Sequence, residues 1–308
     1  RGPAWGNSLF EDNAEYGYGI ASAIDARRQL LAHDVTELAA TAGDEVKAAA
    51  QAWLDAIDDA DKSQTAGDAL AALLRRQPQS PVTDRILART DMLGKKSVWA
   101  IGGDGWAYDI GFAGLDHVLA QNTDINLMVL DTECYSNTGG QTSKATPLGA
   151  VMKYAADGKR TYKKDLGRMM MTYGTVYVAQ IALGANYQQA ITALAEAEAY
   201  PGPSIVICYC PCINHGIRRG MGYGIYEERD AVRAGYWQLY RYNPALATQG
   251  KEPFTLDSAA PDGQLVTYIN GENRYADLRM ADPAEAAVLQ PGLARREDWI
   301  YTQLTRLK

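Results

Sequence analysis

The chain contains 308 residues, 47% of them hydrophobic and 22% charged, which is the composition of an ordinary globular protein. No stretch approaches the roughly 18 uncharged apolar residues that a membrane span requires, so we expect a soluble protein with no membrane partner. The net charge of −7 and the pI near 5.1 argue against a nucleic-acid partner, because phosphate binding requires a basic surface.

The terminus and the cysteines bear on the origin of the chain. It starts at Arg1 without a methionine and shows no secretory signal, which predicts a fragment or a processed chain. Three of the four cysteines fall in the run Cys208-Tyr209-Cys210-Pro211-Cys212, where the short spacing disfavours local disulfides. We therefore expect a reducing, cytoplasmic location.

The first elements in chain order are helical. Residues 20–75 are rich in alanine, leucine and acidic residues at helical spacing and lack strand signals. After them, short apolar runs predict strands at 97–101, 125–130, 176–181 and 204–209. Helical patterns at 108–120 and 187–200 separate these strands. Such alternation predicts an α/β fold, a parallel sheet with helices on both faces.

The rest of the chain is less regular. Helices are predicted at 227–236 and near 283–289, with a proline-punctuated stretch between them. We expect an extended C-terminal arm that packs on the core or on a partner. The predicted organisation is a helical N-terminal segment (1–95), an α/β core (96–217) and the arm (218–308).

Two polar segments follow predicted strands, Gly103-Asp104-Gly105 and residues 131–137. In open parallel sheets, ligands bind at the carboxyl ends of the strands. Glycines let the backbone approach a phosphate, the Asp104 carboxylate is a hard oxygen ligand for Mg²⁺, and the following helix start presents N–H groups to anions. The two segments together predict a crevice that binds a magnesium diphosphate.

Other interpretations of these glycines are weaker. An isolated Gly-Asp-Gly is most often a turn, but thiamine diphosphate enzymes pair it with a second metal-binding loop roughly 25 to 30 residues later, and Thr132 follows at such a distance. A dinucleotide fingerprint would require glycine where Tyr108 stands. Residues 139–144 lack the Gly-Lys-Ser/Thr order of a Walker loop.

Longer runs carry a specific resemblance. Residues 102–111 (GGDGWAYDIG), 131–141 (DTECYSNTGGQ) and 212–216 (CINHG) are similar to the C-terminal domain of pyruvate:ferredoxin (flavodoxin) oxidoreductases, which binds thiamine diphosphate. Residues 1–12, 235–237 and 253–258 extend the resemblance to nearly the whole chain.

The resemblance implies residue roles. Mg²⁺ would bind the Asp104 carboxylate, the Thr132 hydroxyl and the backbone carbonyl of Cys134, whose thiol would be a bystander. Asp131 is the alternative metal ligand. Asn137 would lie beside the reacting carbon of the cofactor. The expected cofactor contacts are Gly103, Asp104, Gly105, Trp106, Thr132, Glu133, Cys134, Tyr135, Ser136 and Asn137.

Cys212 matches the cysteine that completes the [4Fe-4S] cluster nearest the thiamine in this family. A cubane cluster requires four thiolates, so the resemblance implies a cluster shared with sequence outside this chain. Cys208 and Cys210 are interpreted as small buried residues. His215 could tune the cluster by hydrogen bonding, whereas His117 is expected to be a packed or surface histidine on a helix and not a catalytic one. Residues 159–164 are interpreted as a solvated basic face and not as a coenzyme A site.

The implied activity is the oxidative decarboxylation of pyruvate with coenzyme A, with electrons leaving through [4Fe-4S] clusters to ferredoxin or flavodoxin. The remaining domains of the same enzyme are expected partners, because the activating glutamate and the substrate clamp lie there in this family. A homodimer is also expected. The alternatives are a non-redox thiamine diphosphate decarboxylase or synthase, and a cofactor-binding fragment without activity alone.

Overall fold

The computed structural model of the protein describes Gly6 and residues 14–308. The chain divides into two compact units: one is Tyr18–Val98, and the other is Trp99–Lys308 together with the described residues that precede Tyr18. Apart from Gly6, residues 1–12, which were used above for the resemblance, lie outside the described residues.

The unit Tyr18–Val98 is helical, as the sequence predicts. Its elements are α1 (Ala14–Thr41, which begins before the unit), α2 (Asp44–Asp55), α3 (Ala60–Leu74), α4 (Pro81–Leu87) and a 3₁₀ turn at Thr90–Met92. Trp53 lies fully buried in its core, and the indole Nε1 donates a hydrogen bond to the carbonyl of Leu93 (2.8 Å). The buried Arg28 donates to the carbonyls of Met92 (2.6 Å) and Ile57 (2.5 Å). The unit therefore has a hydrophobic core of its own.

The second unit is built on one sheet of six strands in the order β1-β2-β4-β3-β5-β6. The strands are β1 (Trp99–Gly103), β2 (Asn126–Asp131), β3 (Tyr177–Ile181), β4 (Ser204–Tyr209), β5 (Tyr240–Tyr242) and β6 (Phe254–Leu256). The first four are parallel, which confirms the predicted sheet, and β5 and β6 are antiparallel.

Helices cover both faces of this sheet. They are α5 (Phe112–Ala120), α6 (Leu166–Met171) and α7 (Tyr187–Ala199). Val206 of β4 packs against Ala193 of α7, whereas the next residue, Ile207, lies close to Gly167 of α6. Successive strand residues point to opposite faces, so α6 and α7 cover opposite faces, as predicted.

The predicted helix at 108–120 has an irregular start. Residues Gly105–Ile110 form a π-helical turn, and the amide of Gly111 donates to the carbonyl of Trp106 (2.9 Å), five residues earlier. The α-helix α5 begins only at Phe112. π-Turns are rare and often mark functional sites, and this one directly follows Asp104.

The C-terminal segment packs on the core, one of the two predicted alternatives, because β5 pairs with β3. It also contains α8 (Gly224–Arg233), α9 (Pro244–Ala247), α10 (Leu265–Asn270), α11 (Asn273–Ala281) and α12 (Pro283–Thr305). Helix α12 continues well beyond the predicted 283–289. Gly292 lies inside α12, at a position where an added Cβ would come within 2.9 Å of the Leu148 side chain. The close packing there favours glycine. Across residues 14–308, no helix is long and apolar enough to cross a bilayer.

A cavity of 60 Å³ lies beside α12, and polar side chains line it. In the part of the chain that the structure describes, four of them carry a buried polar atom with no hydrogen-bond partner: Asp165 Oδ2, Gln238 Oε1, Tyr240 Oη and Arg296 Nε. A polar space of this size can hold bound water. Glu297 also lines the cavity, and burial raises its pKa to about 8.

This pKa predicts a pH-dependent stability. Between its unfolded pKa near 4.5 and about 8, Glu297 keeps a proton in the folded state that it loses in the unfolded state. The contribution of Glu297 to the free energy of unfolding is therefore full below pH 4.5 and is lost as the pH rises to about 8. We therefore expect the free energy of unfolding of Glu297→Gln to rise relative to that of the wild type as the pH increases from 4.5 to about 8. The difference should grow by about 1.4 kcal/mol for each pH unit within this range.

Urea unfolding at pH 5, 7 and 9 measures this difference. Asp298→Asn is the matched control, because it removes the exposed neighbouring carboxylate on the same helix and should show no such trend. A difference between Glu297→Gln and wild type that is constant with pH would contradict the assignment.

Candidate metal and cofactor site

The two predicted strand-end segments meet. Gly103 is paired with Leu130, so β1 and β2 end side by side, and the next residues, Asp104 and Thr132, come into contact. The Thr132 hydroxyl donates to Asp104 Oδ1 at 2.8 Å, across 28 residues of chain. These two side chains therefore lie together at the carboxyl edge of the sheet, where the ligand is expected.

The three oxygens implied as Mg²⁺ ligands converge. Thr132 Oγ1 lies 2.8 Å from Asp104 Oδ1 and 3.0 Å from the backbone oxygen of Cys134. Adjacent ligands of an octahedral Mg²⁺ with bonds of about 2.1 Å are about 3.0 Å apart. Both separations are close to this edge, and carboxylate, hydroxyl and carbonyl oxygens are hard ligands of the type that Mg²⁺ prefers. The residues present fit the ion.

Ser143 contributes to the metal corner, the site formed by Asp104, Thr132 and the Cys134 carbonyl, and was not predicted from the sequence. Its hydroxyl donates to the second carboxylate oxygen of Asp104 (2.5 Å). The backbone amide of Ser143 donates to Thr146 Oγ1 (2.9 Å), whose hydroxyl donates to the carbonyl of Glu133 (2.6 Å). Asp104 is buried, and burial together with the nearby Asp131 charge raises the pKa of Asp104 to about 7. The ionised form of Asp104 is thus unfavourable without a nearby positive charge, and a bound cation would stabilise it.

Asp131, the alternative ligand, points to a different set of partners. It accepts hydrogen bonds from Tyr108 Oη (2.7 Å) and the backbone amide of Glu133 (3.1 Å). Its Oδ2 also lies 2.8 Å from Lys163 Nζ. Burial raises its pKa, and the charge of Lys163 opposes that shift. In this arrangement Thr132, and not Asp131, contacts Asp104.

The Glu133 side chain lies in a buried ion cluster. Its carboxylate is 3.0 Å from Lys163 Nζ and 2.8 Å from the Arg274 guanidinium, and it accepts a hydrogen bond from Tyr236 Oη (2.6 Å). Burial alone would raise its pKa, but the charges of Lys163 and Arg274 lower it to about 2. The interpretation of residues 159–164 as a solvated face is therefore wrong for Lys163, whose partly buried side chain pairs with the carboxylates of this cluster.

Glycines shape the loops around the metal corner. An added Cβ on Gly105 would lie 2.3 Å from the ring of Tyr135, and one on Gly102 would lie 2.4 Å from the ring of Trp106. Neither position can carry a side chain without displacing an aromatic ring. An added Cβ on Gly103, in contrast, would meet no atom within 4 Å. The backbone of Gly103 is thus open to a ligand at the end of β1.

The segment after Thr132 turns back on itself. Ser136 Oγ lies 2.7 Å from Thr132 Oγ1, and the amide of Tyr135 donates to the carbonyl of Gln141 (2.9 Å). Asn137 is exposed at the turn. Gly140 closes the turn at a φ of +87°, and an added Cβ there would lie 2.5 Å from the side chain of Asn214. The roles of Glu133, Tyr135, Ser136 and Asn137 as cofactor contacts remain predictions.

Cys212 lies directly beside the metal corner. Its sulfur is within hydrogen-bonding distance of Ser136 Oγ (3.0 Å) and of the backbone and side-chain nitrogens of Asn214 (3.4 Å each). The hydrogen bond with Cys134 and these donors outweigh burial and lower the pKa of Cys212 to about 4. Thiolate is the form that binds iron, so the environment of Cys212 suits a cluster ligand.

The other cysteines differ from Cys212. Burial raises the pKa of Cys208 to about 12 and also raises that of Cys210. Contact with Cys212 and burial raise the pKa of Cys134, which packs with Cys212 and Met152. The Cys134 thiol therefore contacts Cys212, and its expected role as a bystander to metal binding remains a prediction.

The two histidines occupy contrasting positions. His117 is exposed on α5, the surface position that was one of the two predicted alternatives. His215 is fully buried, and its Nε2 donates to the carbonyl of Thr132 (2.8 Å), while Nδ1 lies 3.5 Å from Glu272. The contacts of His215 thus hold the backbone at Thr132, and its expected hydrogen bond to a cluster remains a prediction.

Two family models match successive parts of the chain. Residues 27–82 match the family described as pyruvate-ferredoxin oxidoreductase, insertion domain, and lie within the helical unit. Residues 87–208 match the thiamine pyrophosphate enzyme, C-terminal TPP binding domain, and include both strand-end segments.

Curated relatives match along most of the chain. It is 53% identical over 295 residues to pyruvate:ferredoxin oxidoreductase of Moorella thermoacetica and 50% identical over 290 residues to pyruvate-flavodoxin oxidoreductase of Klebsiella pneumoniae. Each match covers 94% of this chain and 25% of the relative. A pyruvate dehydrogenase [NADP(+)], mitochondrial, of Euglena gracilis is 46% identical, covering 96% of this chain and 16% of the relative.

The chain thus spans about a quarter of the length of the first two relatives. These matches confirm the predicted resemblance of the chain to the thiamine diphosphate-binding, C-terminal part of the pyruvate:ferredoxin (flavodoxin) oxidoreductases.

Proposed function

We propose that this chain holds the magnesium diphosphate of thiamine diphosphate in an enzyme that oxidatively decarboxylates pyruvate with coenzyme A. The observation that carries the proposal is the convergence of Asp104 Oδ1, Thr132 Oγ1 and the Cys134 carbonyl, at the separations that an octahedral Mg²⁺ requires. The reaction yields acetyl-CoA, carbon dioxide, one proton and two electrons. The bound thiamine supplies the electron sink for decarboxylation.

The residues of this chain bind and orient the cofactor. Asp104, Thr132 and Cys134 would hold the metal, with Ser143 fixing the Asp104 carboxylate by its hydrogen bond. The open backbone at Gly103 allows a diphosphate to approach, and Gly105, Trp106 and the loop 133–137 would line the rest of the cofactor, with Asn137 beside its reacting carbon. These roles position the cofactor and leave its activation to another part of the enzyme.

Electron transfer is proposed to pass through a [4Fe-4S] cluster that Cys212 shares with sequence outside this chain. Two features support this role: the depressed pKa of Cys212 and its place beside the metal corner, where Ser136 bridges the two. The electrons would leave one at a time to ferredoxin or flavodoxin, the acceptors in the names of relatives. The other domains of the enzyme are the proposed partners, in a cytoplasmic homodimer.

The first test concerns Asp104. In the complete enzyme, Asp104→Ala should weaken Mg²⁺-dependent binding of thiamine diphosphate by at least about 100-fold, because even partners outside the metal shell contribute 10- to 100-fold. Titration calorimetry with thiamine diphosphate and Mg²⁺ measures the affinity, and circular dichroism checks the fold. Asp109→Ala removes a nearby carboxylate that pairs with Lys144 and should retain affinity. Unchanged affinity in Asp104→Ala would rule out the metal role.

A second test separates the cysteines. Cys212→Ser should remove about four iron atoms per chain from the complete enzyme, the content of one cluster. Cys210→Ser, two residues earlier, is the control, since burial keeps that thiol protonated. Iron analysis and the EPR spectrum of the reduced enzyme provide the measurements. Equal iron loss from both variants would show that the ligand is misassigned.

A third test addresses the chain by itself. The resemblance implies that the activating glutamate for the aminopyrimidine and the other cluster ligands lie elsewhere in the enzyme. A cofactor held only by its diphosphate would be neither oriented nor activated. With Mg²⁺, thiamine diphosphate, pyruvate, coenzyme A and a viologen acceptor, we expect no acceptor reduction and no carbon dioxide above background. Release of carbon dioxide without an acceptor would favour a non-redox decarboxylase instead.

A further inference from the structure

Ser136 connects the metal corner to the sulfur of Cys212. Its hydroxyl oxygen lies 2.7 Å from Thr132 Oγ1 on one side and 3.0 Å from Cys212 Sγ on the other. Cys134 Sγ is farther, at 3.7 Å. Both close neighbours can accept a hydrogen bond, but a serine hydroxyl has one hydrogen to give. Ser136 can therefore donate to Thr132 or to Cys212, and not to both at once.

The direction of the Thr132 hydrogen decides which of these occurs. Without a metal, Thr132 donates to Asp104 Oδ1 (2.8 Å) or to the carbonyl of Cys134 (3.0 Å), and its oxygen is free to accept from Ser136. A cation bound to Asp104 Oδ1 and to the Cys134 carbonyl would also bind Thr132 Oγ1 through one of its lone pairs. The Thr132 hydrogen must then turn away from the cation, and Ser136 Oγ is the remaining close acceptor.

This reversal directs the Ser136 hydrogen to the sulfur. Once Ser136 accepts from Thr132, its own hydrogen is free to point to Cys212 Sγ. Hydrogen bonds to a cluster-ligating sulfur stabilise the more negative, reduced cluster and so raise its reduction potential. The sulfur has further donors in the two Asn214 nitrogens, but those lie farther away, at 3.4 Å.

We propose that Ser136 is a positioning residue that couples Mg²⁺–diphosphate binding at Thr132 to the reduction potential of the cluster at Cys212. This inference rests on the function proposed above, since it requires both the metal and the cluster. The cluster becomes a better electron acceptor when the cofactor is in place. By linkage, one-electron reduction of the cluster strengthens cofactor binding by the same factor.

The test is an EPR-monitored redox titration of the complete enzyme. The cluster at Cys212 is identified as the signal that Cys212→Ser removes. After removal of the cofactor with a chelator, its potential is measured without and with Mg²⁺ and thiamine diphosphate. In the wild type, we expect cofactor binding to favour reduction by about tenfold, equivalent to about 59 mV for a one-electron couple.

Variants at two nearby hydroxyls isolate Ser136. In Ser136→Ala the cofactor-induced shift should fall to a small fraction of the wild-type value, whereas Ser136→Thr keeps a hydroxyl and should retain it. Thr138→Ala is the matched control, because that exposed hydroxyl bonds only to Gln141 in the described structure. Cofactor affinity, measured with the cluster oxidised and reduced, provides the reciprocal readout.

The outcomes separate this inference from the function beneath it. If the cluster is present and cofactor binding shifts its reduction potential as much in Ser136→Ala as in the wild type, only the coupling through Ser136 is overturned. The shift then arises from the charge of the ion through space. If Cys212→Ser removes no signal and no iron, the proposed cluster is wrong and the coupling falls with it.

Discussion

The parallel pairing of β1 with β2 is the constraint on which the site depends. The register that pairs Gly103 with Leu130 fixes where both strands end, and the next residues supply Asp104 and Thr132. A shift of one residue would turn every side chain of a strand to the other face. Asp104 would then lose Thr132 Oγ1, now 2.8 Å away, and the three oxygens could not converge.

Charged side chains paired with Glu133 hold the loop after β2 in place. Glu133 adopts a φ of +59°, a strained conformation for a residue with a side chain. Lys163 and Arg274 hold its carboxylate, and Arg274 is in turn paired with Glu272. Removing one partner of a buried ion pair costs about 3–5 kcal/mol. The ion cluster therefore stabilises a backbone conformation that the loop would not adopt alone.

Local sequence patterns predicted the four parallel strands and the helices on both faces, because each depends on residues close in sequence. The Asp104–Thr132 pair spans 28 residues and was predicted because both segments follow strands that end at the same edge of a parallel sheet. Contacts between distant segments could not be predicted in this way. Ser143 meets Asp104 across 39 residues, and Lys163 meets Glu133 across 30. The charged run at 159–164 resembles a solvent-exposed face in the sequence, and only the fold brings Lys163 within 3.0 Å of the carboxylates of Asp131 and Glu133. The short strands β5 and β6, of three residues each, give no periodic signal.

The side chains of the segment 131–136 point to two different environments. Asp131 and Glu133 enter the ion cluster, whereas Thr132 and Ser136 face the metal corner and the Cys212 sulfur. His215 ties the sides together, since it follows Cys212 by three residues and donates to the carbonyl of Thr132. Its Nδ1 lies near Glu272, which pairs with the same arginine that holds Glu133. Metal ligand, sulfur and ion cluster are thus connected through one short loop, so a movement of that loop changes all three environments together.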